Sequence, residues 1–144
     1  MELRAIPLHL IDRDPTYQVR LRWDLATDPT LEALARSLAG PEGLIHPIVV
    51  VQRPTPTTFG RLFTLITGFR RLAAAQRLGW RTILARVEPP CDLDAPATRL
   101  RLLTMALREN TERQDLHPED RRAAVQRLQA LYVEVHGEIG RAHV

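Results

Sequence analysis

The chain has 144 residues, of which 44% are apolar and 26% charged, so its length and composition predict one compact globular domain rather than a disordered tail. All 20 basic side chains are arginine, and the chain has 17 acidic side chains, which gives a net charge of +3. This charge is compatible with a nucleic-acid partner without being specific for one. Cys91 is the only cysteine, which excludes an intrachain disulfide framework, and the five histidines show no metal-ligand spacing.

Compartment and natural length can also be judged from the sequence. No window has the apolar length of a membrane-spanning helix, and the first residues lack the layout of a secretory signal. We therefore expect a cytoplasmic protein without a membrane partner. Residues 138–144 back-translate to the start of a widely used sequencing adapter, so we expect the natural sequence to stop near Gly137 and leave this segment out of fold reasoning.

Strands are predicted early in the chain and helices late. Short apolar runs bounded by turn-forming residues predict strands at 6–11, 61–66 and 82–87, and the segment 43–51 is predicted as a glycine turn that enters a buried strand. Apolar residues at helical spacing predict helices between Asp28 and Gly40, over 70–78, from about Pro96 to near Asn110, and from His117 to Val135. This order predicts an α+β fold with a small mixed sheet over residues 1–114. A helical second segment is expected over 115–137.

The segment from Thr67 to Arg71 reads Thr-Gly-Phe-Arg-Arg and lies between a predicted strand and a predicted helix. A glycine turn that leads into a helix presents backbone N–H groups and the positive end of the helix dipole to an anion. The guanidinium groups of Arg70 and Arg71 are unfavourable at that end unless an anion lies between them. Gly68, Arg70 and Arg71 are therefore candidate phosphate ligands, although arginines at a helix start also occur on ordinary solvated surfaces.

A second polar segment, Glu109 to Leu116, reads Glu-Asn-Thr-Glu-Arg-Gln-Asp-Leu at the end of a predicted helix. Glu109 and Asn110 offer the hard oxygen ligands that Mg²⁺ prefers when it is held against phosphates. Asn110 is also a suitable helix C-cap, so a purely structural role for this segment stays open. Together the two segments predict a nucleotide-phosphate and metal site.

Both segments resemble the amino-terminal domain of the ParB chromosome- and plasmid-partition family, which reads Gly-Glu-Arg-Arg and Glu-Asn-x-Gln-Arg-x-x-Leu at these places. The residues from Gly43 to Ile48 resemble a third family segment, Gly-x-x-x-Pro-[Ile/Leu], and Gln18 falls where the family has Pro-x-Gln-Pro-Arg. The resemblance covers residues 3–135 and implies the ParB/sulfiredoxin-like fold. It assigns nucleotide contacts to Gln18, Gly43, Gly68, Arg70, Arg71 and Asn110, metal contacts to Glu109 and Asn110, catalysis to Glu109, and DNA contact to Arg113.

The resemblance implies a CTP- and Mg²⁺-binding domain that self-associates as a dimeric clamp on DNA, followed by a helix-turn-helix domain, with a ParA-type ATPase as a further partner. Phe69 departs from the family, because it replaces the glutamate between glycine and arginine that is linked with turnover. The sequence therefore leaves open whether the domain has weak CTPase activity. The main alternative to a CTP-binding partition domain is a nucleotide-independent regulatory domain of the same fold. A ParB-like nuclease is a further one. A sulfiredoxin-type enzyme would need a cysteine where Phe69 stands.

Overall fold

A computed structural model describes residues 2–19, 31–39, 46–112 and 117–142 of the chain. The strands are β1 (Glu2–Pro7), β2 (Ile11–Asp12), β3 (Ile48–Gln52), β4 (Phe63–Thr67) and β5 (Thr82–Glu88). The helices are α1 (Leu31–Ala39), α2 (Phe69–Arg77), α3 (Pro96–Glu112) and α4 (Pro118–Ala142). Short 3₁₀ turns lie at Leu8–Leu10 and Pro15–Tyr17.

The strands form one mixed sheet in the order β1-β5-β3-β4-β2. The β1–β5 and β3–β4 pairs are antiparallel, whereas the β3–β5 and β2–β4 pairs are parallel. The expected α+β fold with a small mixed sheet is therefore confirmed. The order places β3 and β4 near the middle of the sheet, where both of its faces can be covered.

The opening of the chain differs from the sequence prediction, which placed one strand at 6–11. The first strand runs over Glu2–Pro7 and pairs with β5, and a 3₁₀ turn then leads into the two-residue β2, which pairs with β4. Pro7 has no backbone N–H for the sheet ladder, which accounts for the end of the strand there. The N–H of Leu8 donates to the carbonyl of Arg81 at 3.0 Å and fixes the turn.

Helices cover the sheet on both faces. On one face α2 packs against β1, β3, β4 and β5 through Leu72 and Ala75. On the other face α3 packs against Val51 and Ile66 of the central strands through the fully buried Leu102, Leu103 and Ala106. The outer helix α1 lies on α2, and α4 lies on α3 through Ala124 and Leu131. None of the described helices is long and apolar enough to cross a membrane.

The second and third helix predictions hold with small shifts at the ends, whereas the fourth helix runs seven residues further than predicted. The second helix begins at Phe69, one residue before the prediction, and the third runs two residues past Asn110. The fourth continues to Ala142, beyond the predicted end at Val135. The beginning of the helix predicted from Asp28, and residues 43–45 of the predicted turn and strand at 43–51, lie outside the described residues.

Candidate nucleotide-phosphate site

The turn between β4 and α2 is built on Gly68, whose backbone adopts φ 101° and ψ 29°. A Cβ atom at this position would lie 2.5 Å from Cγ2 of Ile48 and 3.3 Å from its Cα. Only glycine combines this left-handed conformation with so close an approach to β3. The first N–H groups of a helix have no acceptor within the helix, and the first turn of α2 contains no acidic residue. The turn therefore has the local geometry and polarity of an anion site.

Arg71 joins this turn to two other segments of the chain. Its side chain is almost fully buried, and its Nη1 donates to the carbonyl oxygens of His46 at 2.7 Å and Pro47 at 3.0 Å. Its Nη2 donates to Oε1 of Glu109 at 3.0 Å, across 38 residues of sequence. The first turn of α2 thus faces the Glu109 segment, as the sequence predicts.

These contacts distinguish the two arginines. Both terminal nitrogens of Arg71 donate hydrogen bonds to protein oxygens, so this guanidinium holds the 46–47 loop and α3 against the turn. Arg70 is half-buried in the same helical turn and also has contacts within the protein. Both remain predicted nucleotide-binding residues, and Arg71 in addition holds these segments together.

A cavity of about 520 Å³ adjoins Glu109 between the sheet and α3. Polar and charged residues from three elements line it: Thr67, Arg86, Glu88, Arg101, Thr104, Arg108 and Glu109. Among these described residues three arginines outnumber two glutamates, so this part of the wall has an excess of positive charge. Apart from Thr67 and Glu109, these residues are not among those predicted from the sequence, although Arg101, Thr104, Met105 and Arg108 recur at the spacing of one helix face. Arg86 and Glu88 likewise alternate along β5.

The other predicted site residues are less well placed. Gln18 is half-buried between Tyr17 and Val19, and its N–H donates to the carbonyl of Pro15 at 3.2 Å. Its side chain makes no hydrogen bond to Gly68, Arg71 or Glu109 within the described part of the chain. Asn110 belongs to the last turn of α3, but its side chain lies outside the description. Gly43 and Arg113 lie outside the described residues altogether.

Comparison with known proteins decides the family. Residues 1–111 match the ParB N-terminal domain family. The chain belongs to this family. It is 36% identical over 141 residues to a probable chromosome-partitioning protein ParB of Coxiella burnetii, covering 98% of this chain and 42% of the relative. For the corresponding Pseudomonas putida protein the identity is 38% over 128 residues, covering 89% and 38%.

A nucleoid occlusion protein of Bacillus thuringiensis is 31% identical over 135 residues, covering 94% of this chain and 39% of the relative. The chain thus spans about two-fifths of the length of these curated relatives.

Solved structures agree with the ParB assignment. The structure of C-terminally truncated ParB from Caulobacter crescentus with CTP-γ-S is 30% identical, with a TM-score of 0.59, and the match covers 81% of this chain and 56% of that one. A pNOB8-like ParB N-domain has a TM-score of 0.66 at 17% identity, covering 98% and 46%. The second likeness concerns the fold alone.

The ParB resemblance implies a magnesium ion, and the described residues fit one that arrives with phosphates. The described residues contain no cluster of three histidine, cysteine, aspartate or glutamate side chains that could enclose a metal. Magnesium in phosphate sites needs only one or two carboxylates, because phosphate oxygens and water supply its other ligands. Glu109 offers such a carboxylate, with 26% of its side chain exposed at the rim of the cavity.

Phe69, the departure from the ParB pattern, is half-buried at the first position of α2. Its ring packs against the apolar cluster that includes Leu72, Leu65 and Ile83. The residue therefore contributes packing at a position where the family carries an acid. It supplies neither a proton acceptor nor a metal ligand.

Proposed function

We propose that this chain is the nucleotide-binding domain of a ParB-type DNA-partition protein, with its phosphate site at the Gly68 turn. The contact that carries the proposal is the 3.0 Å ion pair between Arg71 and Glu109. It brings together the two polar segments that resemble the family motifs, 38 residues apart in sequence. The CTP-γ-S complex of the ParB relative supports CTP as the nucleotide.

In this proposal each residue of the site has a separate task. The backbone at Gly68 and the first turn of α2 bind phosphate oxygens, and Arg70 adds a charge-assisted contact. Arg71 keeps Glu109 and the 46–47 loop in position through its buried hydrogen bonds. Glu109 and Asn110 would hold Mg²⁺, which supplies positive charge to the phosphates when bound.

DNA binding, self-association and partition are proposed for the longer protein to which such a domain belongs. A ParB structure with 28% identity and a TM-score of 0.57 is complexed with the centromeric parS site. By analogy we propose DNA as the macromolecular partner, with Arg113 near the DNA, a dimer as the assembly and a ParA-type ATPase as a further partner. Phosphate contacts of this kind depend strongly on salt, which gives a direct assay.

Calorimetry on the 144-residue chain with CTP, ATP or GTP and Mg²⁺ tests the nucleotide proposal. We expect CTP to bind, and Arg70→Ala to weaken binding by roughly 1.5 to 3 kcal/mol, the scale of a charge-assisted hydrogen bond. Arg77→Ala is the matched control, because Arg77 is an exposed arginine in the last turn of the same helix. If no nucleotide binds, or if Arg70→Ala and Arg77→Ala weaken binding equally, the proposed site is wrong. The nucleotide-independent regulatory alternative would then be favoured.

The same proposal includes slow turnover, because Phe69 stands in place of an acid. We expect Phe69→Glu to raise phosphate release from CTP with similar affinity, and Glu109→Gln to abolish residual turnover. Phe69→Leu is the control for lost packing against the apolar cluster. The assay belongs on the full-length protein with its cognate DNA. If the parent protein and the Phe69→Glu variant hydrolysed CTP rapidly and at the same rate, an acid at position 69 would be dispensable for turnover.

A further inference from the structure

A second cavity, of about 560 Å³, lies at the other end of α2 from the Gly68 turn. Gln76 in the last turn of α2 forms part of its wall, about 12 Å along the helix axis from Gly68. The remaining polar wall comes from the segment after β1 and from the β3–β4 hairpin, through His9, Asp12, Arg13 and Arg61. None of these residues takes part in the proposed nucleotide site.

Two guanidinium groups share this cavity. Nη2 of Arg13 donates to Oε1 of Gln76, and Nη1 of Arg61 donates to the carbonyl of His9. Both acceptors are neutral, and within the described ranges neither arginine forms an ion pair with a carboxylate. Burial lowers the pKa of Arg13, and the positive charge of Arg61 lowers it further. Two cations are therefore close together in a partly desolvated cavity, and among the described residues of its wall Asp12 is the single acid.

Phe59 adds an aromatic surface to the same cavity and is 88% exposed. The hairpin turn beneath it is well defined, because Thr57 and Arg61 exchange hydrogen bonds at 2.9 and 3.0 Å and the Gly60 N–H donates to Thr57. The left-handed conformation of Gly60, with φ 78°, completes the turn. The fold thus holds a large apolar ring in solvent beside two arginines, a combination typical of sites that stack a base and bind its phosphate.

We infer that this second cavity binds a phosphate-bearing nucleotide, with Arg13 and Arg61 on the phosphate and Phe59 against the base. The ligand is either a free nucleotide or one unit of a DNA strand, since both present the same phosphate and base. The volume falls within the usual range of small-molecule sites. Charge complementarity favours an anion, because Arg13 and Arg61 outweigh Asp12.

The test uses the 144-residue chain carrying Arg70→Ala, so that binding at the Gly68 turn is weakened. The probes are AMP, followed by calorimetry, and a fluorescein-labelled single-stranded DNA dodecamer, followed by anisotropy at several salt concentrations. We expect Arg13→Gln and Arg61→Gln each to weaken binding about ten-fold or more. For the dodecamer, each should also reduce the salt slope by about 0.7. Phe59→Ala should weaken binding at least five-fold. Arg122→Gln, an exposed arginine of α4, is the control of equal charge.

Asp12→Asn separates ligand binding from a structural role for the arginines, because it removes the opposing charge and should tighten binding several-fold. This variant and Phe59→Ala also decide the case if an arginine variant fails to fold. Binding of AMP with this variant pattern supports a free nucleotide, and binding of the dodecamer alone supports a DNA strand. Absence of binding by both probes, or binding that Phe59→Ala and Asp12→Asn leave unchanged, would overturn the inference without affecting the Gly68 site.

Discussion

Gly68 shows how one residue positions the proposed site. Its φ of 101° is unfavourable for any side chain, and an added Cβ would lie 2.5 Å from Ile48. We expect Gly68→Ala to lower the free energy of unfolding by about 2 to 4 kcal/mol, since it combines left-handed strain with overpacking against β3. Urea unfolding followed by circular dichroism measures the change.

Gly79→Ala provides the comparison for Gly68→Ala. Gly79 also has a positive φ, of 75°, but an added Cβ would have no atom within 4 Å. Strain alone should therefore cost this variant about 1 to 2 kcal/mol. If both variants lost the same stability, the close approach to Ile48 would not be what restricts position 68 to glycine.

The two arginines show how far residue types alone can predict a site. A glycine turn followed by Arg70 and Arg71 indicates an anion site from local chemistry. Which arginine is buried depends on the 46–47 loop and on Glu109, which lie 24 to 38 residues away in sequence. Local pattern carries no information about those neighbours. The sequence therefore indicates Gly68, Arg71 and Glu109 as candidates, but not the contacts by which Arg71 joins them.

At the scale of elements, helices were easier to predict than edge strands. The apolar stripe of α3 and the alanine-rich run of α2 are local signals, and both helices lie within two residues of their predictions at each end. In contrast, β2 has only two residues and exists through its pairing with Phe63 and Thr64 of β4. A pairing between positions 52 residues apart leaves no periodic signal in so short a segment. The polar face of α3 is a different case, because the apolar stripe predicts the helix without indicating that the opposite face lines a cavity.

The packing of α4 gives a prediction at the same scale. Nη1 of Arg127 donates to the carbonyls of Thr16 at 2.8 Å and Pro15 at 3.3 Å, which ties α4 to the turn before Gln18. Arg127→Ala leaves both carbonyls without this donor, so we expect a local loss of about 1 to 2 kcal/mol. Nε and Nη2 of Arg127 are buried without described partners, and their burial costs free energy. Removal of the side chain also removes this cost, so the net loss should be smaller than the strength of two hydrogen bonds.

Hydrogen exchange read by mass spectrometry tests the role of Arg127. Amides of α4 should exchange faster in Arg127→Ala, whereas those of β3 and β4 should keep their protection. Arg122→Ala is the control, since Arg122 is exposed on the same helix. A uniform change over the whole chain, or the same effect from Arg122→Ala, would argue against a local tie between α4 and the 15–17 turn.

At the scale of the whole molecule, the fold class was predictable because it follows from the order of elements. Early strands and late helices give a mixed sheet covered on both faces, and this is the observed arrangement. The strand order itself depends on pairings between distant segments, such as β1 with β5. The second cavity depends on the same long-range arrangement, because it gathers residues between Leu8 and Gln76 around one end of α2. Neither feature has a local signature.

Stability at alkaline pH reports on the whole molecule through Tyr17, which is 2% exposed in the core between the sheet and α3. Burial, reinforced by the negative charge of Asp14, raises the pKa of Tyr17 from 10.0 to about 12. Below pH 10 the phenol is protonated in both states, and the stabilisation from its burial is complete. Above pH 10 the unfolded chain loses the proton first, so the free energy of unfolding should fall between pH 10 and 12 by about 2 to 3 kcal/mol.

The chain suits this measurement because it contains no lysine, whose ammonium group would titrate in the same pH range. Urea unfolding at pH steps from 8 to 12 would be compared among Tyr17→Phe, Tyr132→Phe and the parent, all carrying Cys91→Ser, because burial also raises the pKa of Cys91. Tyr132 is the matched control, since it is 56% exposed on α4. Tyr17→Phe should remove most of the decline and Tyr132→Phe should leave it. A decline that persists in Tyr17→Phe would assign the alkaline loss to other groups and contradict a buried, neutral Tyr17 as its source.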